Sequence, residues 1–177
     1  MQSSIGNSGQ RQWVSSAGGP LVLLPSSLSS SWTGARQRGV AASDDYAVAC
    51  RVSGYVGVIS KDGTDVLVLG DEPLRTTALA SDVLTGFVRW VAAESSTAVE
   101  AAIHDLRPEQ LGPALEMHRF SVQEPIWNLA DAGVDGRHIS ERGAIRVALD
   151  PGIYDVSVHE YFPSRAVRLL VIVLRRQ

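Results

Sequence analysis

Two uninterrupted aliphatic runs, LVLL at Leu21 to Leu24 and LLVIVL at Leu169 to Leu174, set the strongest limit on how this chain can fold. Both fall far short of the ~20 residues that a membrane span requires, and both have the length of a buried strand. A chain of 177 residues can bury them. That length fits one domain or two small ones, with a core removing roughly 70% of the unfolded surface from water. Cys50 is the only cysteine, so no disulfide can form within the chain. This suits a reducing compartment, and the cytoplasm is the expected location.

The first run lies in WVSSAGGPLVLLP, Trp13 to Pro25. Gly18-Gly19 between Trp13 to Ala17 and Pro20 to Leu24 predicts a hairpin, because two-residue turns of this kind need φ > 0 and glycine adopts it without strain. A phosphate loop would need GxxxxGK[ST] ahead of a helix, and the only lysine of the chain is Lys61. Pro25 ends the strand. SSLSSSWTG then reads as a loop or short helical turn anchored by Leu28 and Trp32, followed by a polar connection over 33–44.

Further along, YVGVIS and TDVLVLG flank Lys61-Asp62-Gly63 and predict a second hairpin. GFVRWVAAE places Val88, Trp90 and Ala92 on one face and Phe87, Arg89 and Val91 on the other, the period of a strand. TAVEAAIHDL carries Thr97 and Glu100 at capping-box spacing and an apolar stripe of Val99, Ala102, Ile103 and Leu106, so a helix is expected there, closed by Pro108. EMHRFSVQ, GAIRVALD, GIYDVSVHEY and AVRLLVIVLR are four strand-like runs, with a turn at Asp150-Pro151-Gly152. The fold class is therefore α+β, mostly antiparallel β-sheet with one main helix near residues 97–106. Residues 1–12 lack the apolar segment of a signal peptide and read as a disordered tail ahead of a domain at 13–177. An echo between WVSSAG at Trp13 and WNLADAG at Trp127 suggests an alternative division into two β-rich halves, 13–106 and 117–177.

No constellation for catalysis emerges. His104, His118, His138 and His159 have no HExxH or i, i+4 spacing, His159 and Glu160 point to opposite faces of a strand, and no GxSxG elbow is present. Cys50 reads as a small buried apolar residue. Asp44-Asp45 and Asp71-Glu72 read as solvated loop acids, and Trp13, Trp32, Trp90 and Trp127 as core residues. No cofactor and no metal are expected.

Charge is unevenly distributed. Residues 1–40 carry three arginines and no acid, 41–136 carry fifteen acids against six basic residues, and 137–177 carry seven arginines against four acids. An acidic middle argues against nucleic acid as the main partner, since phosphate binding needs a clustered basic face. No membrane partner is expected either.

The series WVSSAGGPLVLLP, Trp32-Thr33-Gly34, Asp45-Tyr46, Gly54-Tyr55, LVLGDEP at Leu67 to Pro73 and Val88-Arg89-Trp90 resembles the bacterial polymorphic-toxin immunity proteins, specifically immunity protein 21. The resemblance is strongest over 13–94, and its specific part is the WxxSxGGPLxLLP opening. It implies a non-catalytic α+β protein, encoded beside a toxin, that binds and neutralises that toxin. Trp13, Gly18, Gly19, Pro20 and Trp32 carry over as motif positions and are read as structural. By analogy with immunity proteins that present acidic surfaces to nucleases, Asp62, Asp65, Asp71 and Glu72 are the expected toxin-binding residues. A general interaction or regulatory module without a toxin partner, and an enzyme whose site is assembled from distant residues, are the alternative readings.

Overall fold

The LVLL run forms β1 (Leu21–Pro25), in which every residue is buried. Leu21 and Leu23 enter one apolar cluster while Val22 and Leu24 enter another on the opposite side. Alternate residues of a strand point to opposite faces, so four aliphatics in a row are stable only where both faces are covered. The computed structural model, which describes residues 11–35, 44–70, 74–81 and 83–177, covers them by stacking two sheets and placing short helical segments outside each.

The remaining strands are β2 (Gly57–Lys61), β3 (Thr64–Leu69), β4 (Thr76–Ala80), β5 (Thr85–Ala92), β6 (Glu116–Val122), β7 (Ile126–Asp131), β8 (Ile145–Ala148), β9 (Gly152–Ser164) and β10 (Val167–Arg176); the helices are α1 (Asp45–Ala49) and α2 (Ser96–Asp105). The first sheet has the order β2-β3-β1-β7-β8 and the second β4-β5-β10-β9-β6, with antiparallel pairing throughout. Each sheet draws strands from both 13–106 and 117–177. The fold is thus α+β with α2 as its main helix, as the periodicity predicts.

Leu21, Leu67, Phe87, Phe120, Trp127, Leu129, Val156 and Ile172 are among the residues that fill the space between the sheets. Phe120 and Trp127 meet edge to face there, with ring centroids 5.2 Å apart. Arg89, on the same inward face of β5 as Phe87, is fully buried and donates from Nη1 to the Gly70 carbonyl at 2.7 Å. Outside the second sheet, Val88, Leu169, Val171 and Tyr161 pack against Val99, Ala102 and Ile103 of α2 and Leu106 at its C-terminal end, the predicted stripe. Outside the first, Val22, Leu24, Val66 and Val68 pack against Trp32, Ala49 and Ile139. The strand β10 repeats the logic of β1: Leu170, Ile172 and Leu174 face inward while Leu169 and Val171 lie under α2.

The β2–β3 hairpin forms where Lys61-Asp62-Gly63 predicts it, with positive φ at both Asp62 (+52°) and Gly63 (+80°). The Gly18-Gly19 hairpin does not form. β1 pairs with β3 and β7, and only Val14 of the preceding stretch makes a bridge, to Thr76 on the edge of the other sheet. The physical reason is burial: Trp13 to Ala17 would have placed two serines beside a strand sealed on both faces, whereas β3 and β7 supply Leu67, Leu69 and Leu129. Gly18-Gly19 instead carries the chain from one sheet to the other, and the positive φ (+126°) falls on Gly18 alone.

Two smaller expectations are also corrected. Cys50 is exposed, because α1 turns Ala49 toward the core in its place. The cap of α2 is Ser95, whose side chain accepts from the Ala98 N–H at 3.2 Å, while Glu100 accepts from Arg11 Nε at 2.9 Å and from Trp13 Nε1 at 3.2 Å. Thr97 and Glu100 therefore form no capping box. Of the expected tail at 1–12, residues 1–10 lie outside the described residues, and Gln12 donates to the Ala144 carbonyl. Ser95→Ala should lower stability by about 1 kcal/mol through loss of the cap. Thr97→Ala, by contrast, should stay within about 0.5 kcal/mol of wild type, as surface substitutions usually do. Urea denaturation of the two variants checks the assignment.

Candidate partner-binding surfaces

The motif residues that stand far apart in the sequence converge at one end of the first sheet. Trp32 is buried beneath the serine-rich 3₁₀ turn of Ser26–Ser31; its Nε1 donates to the Ala132 carbonyl at 2.9 Å, and its own carbonyl accepts from the Gly136 N–H at 2.9 Å. The next residue, Thr33, donates from both its N–H (2.7 Å) and its hydroxyl (3.0 Å) to Oδ2 of Asp45, which also accepts from Lys61 Nζ at 2.8 Å. The Thr33 carbonyl accepts from the Tyr46 N–H. Gly34 lies so close to the 133–135 backbone that a Cβ would sit 2.5 Å from the Gly133 carbonyl oxygen, which explains why glycine stands there. Burial pushes the Asp45 carboxyl up, but the bonds from Lys61 and Thr33 outweigh it and hold the group below the usual carboxylate value.

Beside this junction is a cleft of about 760 Å³, with Ser15, Ser16, Tyr46, Asp131, His138 and Arg142 among the residues on its walls. The Tyr46 ring fills the space above Gly19, where a Cβ would come within 2.7 Å of it, and a hydrogen bond with the Cys50 side chain, aided by burial, pushes the phenol up. Asp131 is used by the backbone: it accepts from the Ala17 and Gly133 N–H groups at 3.0 and 2.8 Å. A second meeting of motif residues lies against α2. There Trp13 and Trp90 sit 6.1 Å apart edge to face, and the Arg75 guanidinium is 5.4 Å from each ring centroid. Pro20 is buried, and its carbonyl accepts from the Ala132 N–H.

The residues expected to touch a toxin are distributed differently. Asp62 stands at the tip of the β2–β3 hairpin with its side chain 69% exposed. Asp65 is half-buried, and its Oδ2 accepts from the Ser121 N–H at 2.9 Å, tying the hairpin to the edge strand β6. Asp71 and Glu72 lie outside the described residues. Glu116 makes a second tie across the same edge, accepting from the Tyr55 and Val56 N–H groups at 3.0 and 3.1 Å.

Among the described residues, no group of three or more His, Cys, Asp or Glu side chains is placed to hold a metal ion. The histidines do not meet. His118 lies 3.6 Å from Glu116, His138 contacts Glu141, and His159 bonds the Gly112 carbonyl and the Ser157 hydroxyl. No helix among the described residues is long and apolar enough to cross a membrane.

The Asp45 junction has a pH signature. A carboxyl whose folded pKa lies below its unfolded value contributes stability that is present above the unfolded pKa and is lost as pH falls through the folded one. Wild type should therefore lose its advantage over Asp45→Asn as pH drops below the ordinary value of 3.8. Melting temperature against pH for the two proteins checks this, and parallel curves would mean that the carboxylate contributes nothing.

No curated protein and no solved structure matches the chain. The model of one family, Immunity protein 21, matches residues 12–165 of the 177, a span that contains both clusters of motif residues and every strand through β9. The chain belongs to the Immunity protein 21 family.

Proposed function

We propose that this protein binds a cognate bacterial toxin domain, encoded nearby, and neutralises it in the cytoplasm of the producing cell without catalysing a reaction. The observation that carries this reading is the family match over residues 12–165. The sandwich is consistent with it: a rigid frame presents loops and hairpin tips at fixed positions, where binding groups are commonly found. Asp62 stands at such a tip, exposed and 3.9 Å from Lys61 Nζ, with Asp71 and Glu72 following β3 in sequence. Asp65 supports the hairpin from beneath through its bond to Ser121.

The test is co-expression with the toxin domain encoded beside the gene. Survival of the host and co-purification of the two chains are expected. Continued toxicity in the presence of folded protein would overturn the reading. For the acidic residues, Asp62→Lys, and separately Asp71→Lys with Glu72→Lys, should slow association and flatten its dependence on ionic strength, because rim charges act mainly on the on-rate. Stopped-flow association at several salt concentrations measures this; curves that superimpose on wild type would remove these side chains from the interface.

A further inference from the structure

The outer face of the second sheet is covered by α2 over only part of its area. Val88, Leu169, Val171 and Tyr161 lie beneath the helix. Farther along the same strands, the register sets out two uncovered rows on that face: Val173 of β10, Ser157 of β9 and Met117 of β6, then Arg175, Asp155 and Arg119. The segment around Leu111 and the β4–β5 turn at Val83 rise on either side and leave a groove of about 450 Å³. Met117 is 68% exposed, Val83 60% and Leu115, just before β6, 47%; these are three of the four large apolar side chains that stand exposed among the described residues. His159 bonds both Gly112 and Ser157 and so holds the wall of the groove to its floor.

The charged row decides what kind of occupant fits. Asp155 accepts from the Gln177 side chain at 2.8 Å, and among the described residues neither Arg119 nor Arg175 is ion-paired, which leaves two arginines around one engaged carboxylate. An exposed apolar patch with a basic end complements an apolar side chain accompanied by acid, and arginine and methionine are enriched at interfaces. Residues 1–10 of this chain, MQSSIGNSGQ, contain no acid and do not match that charge.

We propose that this groove is a docking surface for the cognate toxin domain, which seats an apolar side chain between Val83 and Met117 and sets a carboxylate against Arg119 and Arg175. This rests on the neutralisation reading above. The groove is also linked to the acidic hairpin through β6. The strand β6 carries Met117 and Arg119 on its outer face, and its far end holds the hairpin through Ser121 to Asp65 and Gln123 to Thr64. A toxin lying across β6 meets basic charge on one side of that strand and acidic Asp62 on the other. Opposite charges on the two sides of one contact fix its orientation.

The experiment measures binding of the purified toxin domain to wild type, to Met117→Lys and to Arg119→Glu/Arg175→Glu, with melting temperatures to establish that each variant is folded. Wild type should bind. Met117→Lys should speed dissociation by about tenfold or more, as expected for an anchor side chain, and the double arginine variant should weaken binding by a similar factor. The milder Met117→Gln and Arg119→Gln/Arg175→Gln should show the same effects in smaller degree. Failure of wild type to bind would overturn the neutralisation reading itself. Binding by wild type with unchanged affinity in all the variants would overturn the groove alone. If Met117→Lys converted a dimer of this chain to a monomer and left toxin affinity unchanged, the occupant would be a second copy, and the proposal would be wrong.

Discussion

The sealing of β1 on both faces is the constraint around which the molecule is arranged. The strand lies between β3 and β7, and it alone joins the β2–β3 hairpin to the β7–β8 pair. Its inward residues, Leu21 and Leu23, require a second sheet, and its outward residues, Val22 and Leu24, require Trp32, Ala49 and Ile139. Each fully buried leucine of such a strand contributes on the order of 2 kcal/mol by transfer from water. Three of them and Val22 in succession leave no orientation in which the strand could be exposed. The chain then has to find cover for each face from distant segments, and the layered arrangement follows.

This explains why some of the fold was legible in the sequence and some was not. The β2–β3 hairpin, the alternation in β5 and the stripe of α2 depend on local period and turn chemistry, so neighbouring residues reveal them. Pairing partners depend on what is available across the whole chain. Gly18-Gly19 has the chemistry of a tight turn, yet β1 meets Asp131 and Leu69 at Leu21, far along the sequence, because those strands offer apolar faces and Trp13 to Ala17 does not. The strand β4 is hard to read from the sequence for a related reason: TTALA is weakly patterned, and it is recruited by β5 on one side and Val14 on the other. Ser95, Ser96 and Thr97 are chemically similar caps, and only the direction of the entering backbone selects the first.

The sites divide in the same way. Exposure of Asp62 followed from its place in a two-residue turn. That Asp65 is engaged by Ser121 could not be read, since the contact spans 56 residues. The groove was invisible in sequence because its residues come from four separate segments, none of which has a motif. Conversely, the motif residues that carry the resemblance are used in packing within the fold. Trp32, Thr33 and Asp45 close one end of the first sheet, and Trp13 and Trp90 clamp Arg75 beside α2.

The position of β10 has a consequence in time. It is the middle strand of the second sheet, flanked by β5 and β9, and it is formed by residues Val167–Arg176. On the ribosome, β4 and β5 emerge long before the strand that must lie beside them, just as β1 emerges long before β7. Synthesis at roughly 5–20 residues per second separates these partners by several seconds. Pairings between distant segments also close slowly, because chain entropy is lost before contacts are gained. The second sheet cannot be completed before Val167–Arg176 are made, although every strand of the first lies at or before Ala148. The groove floored by β6, β9 and β10 is therefore assembled only once those strand residues have been made.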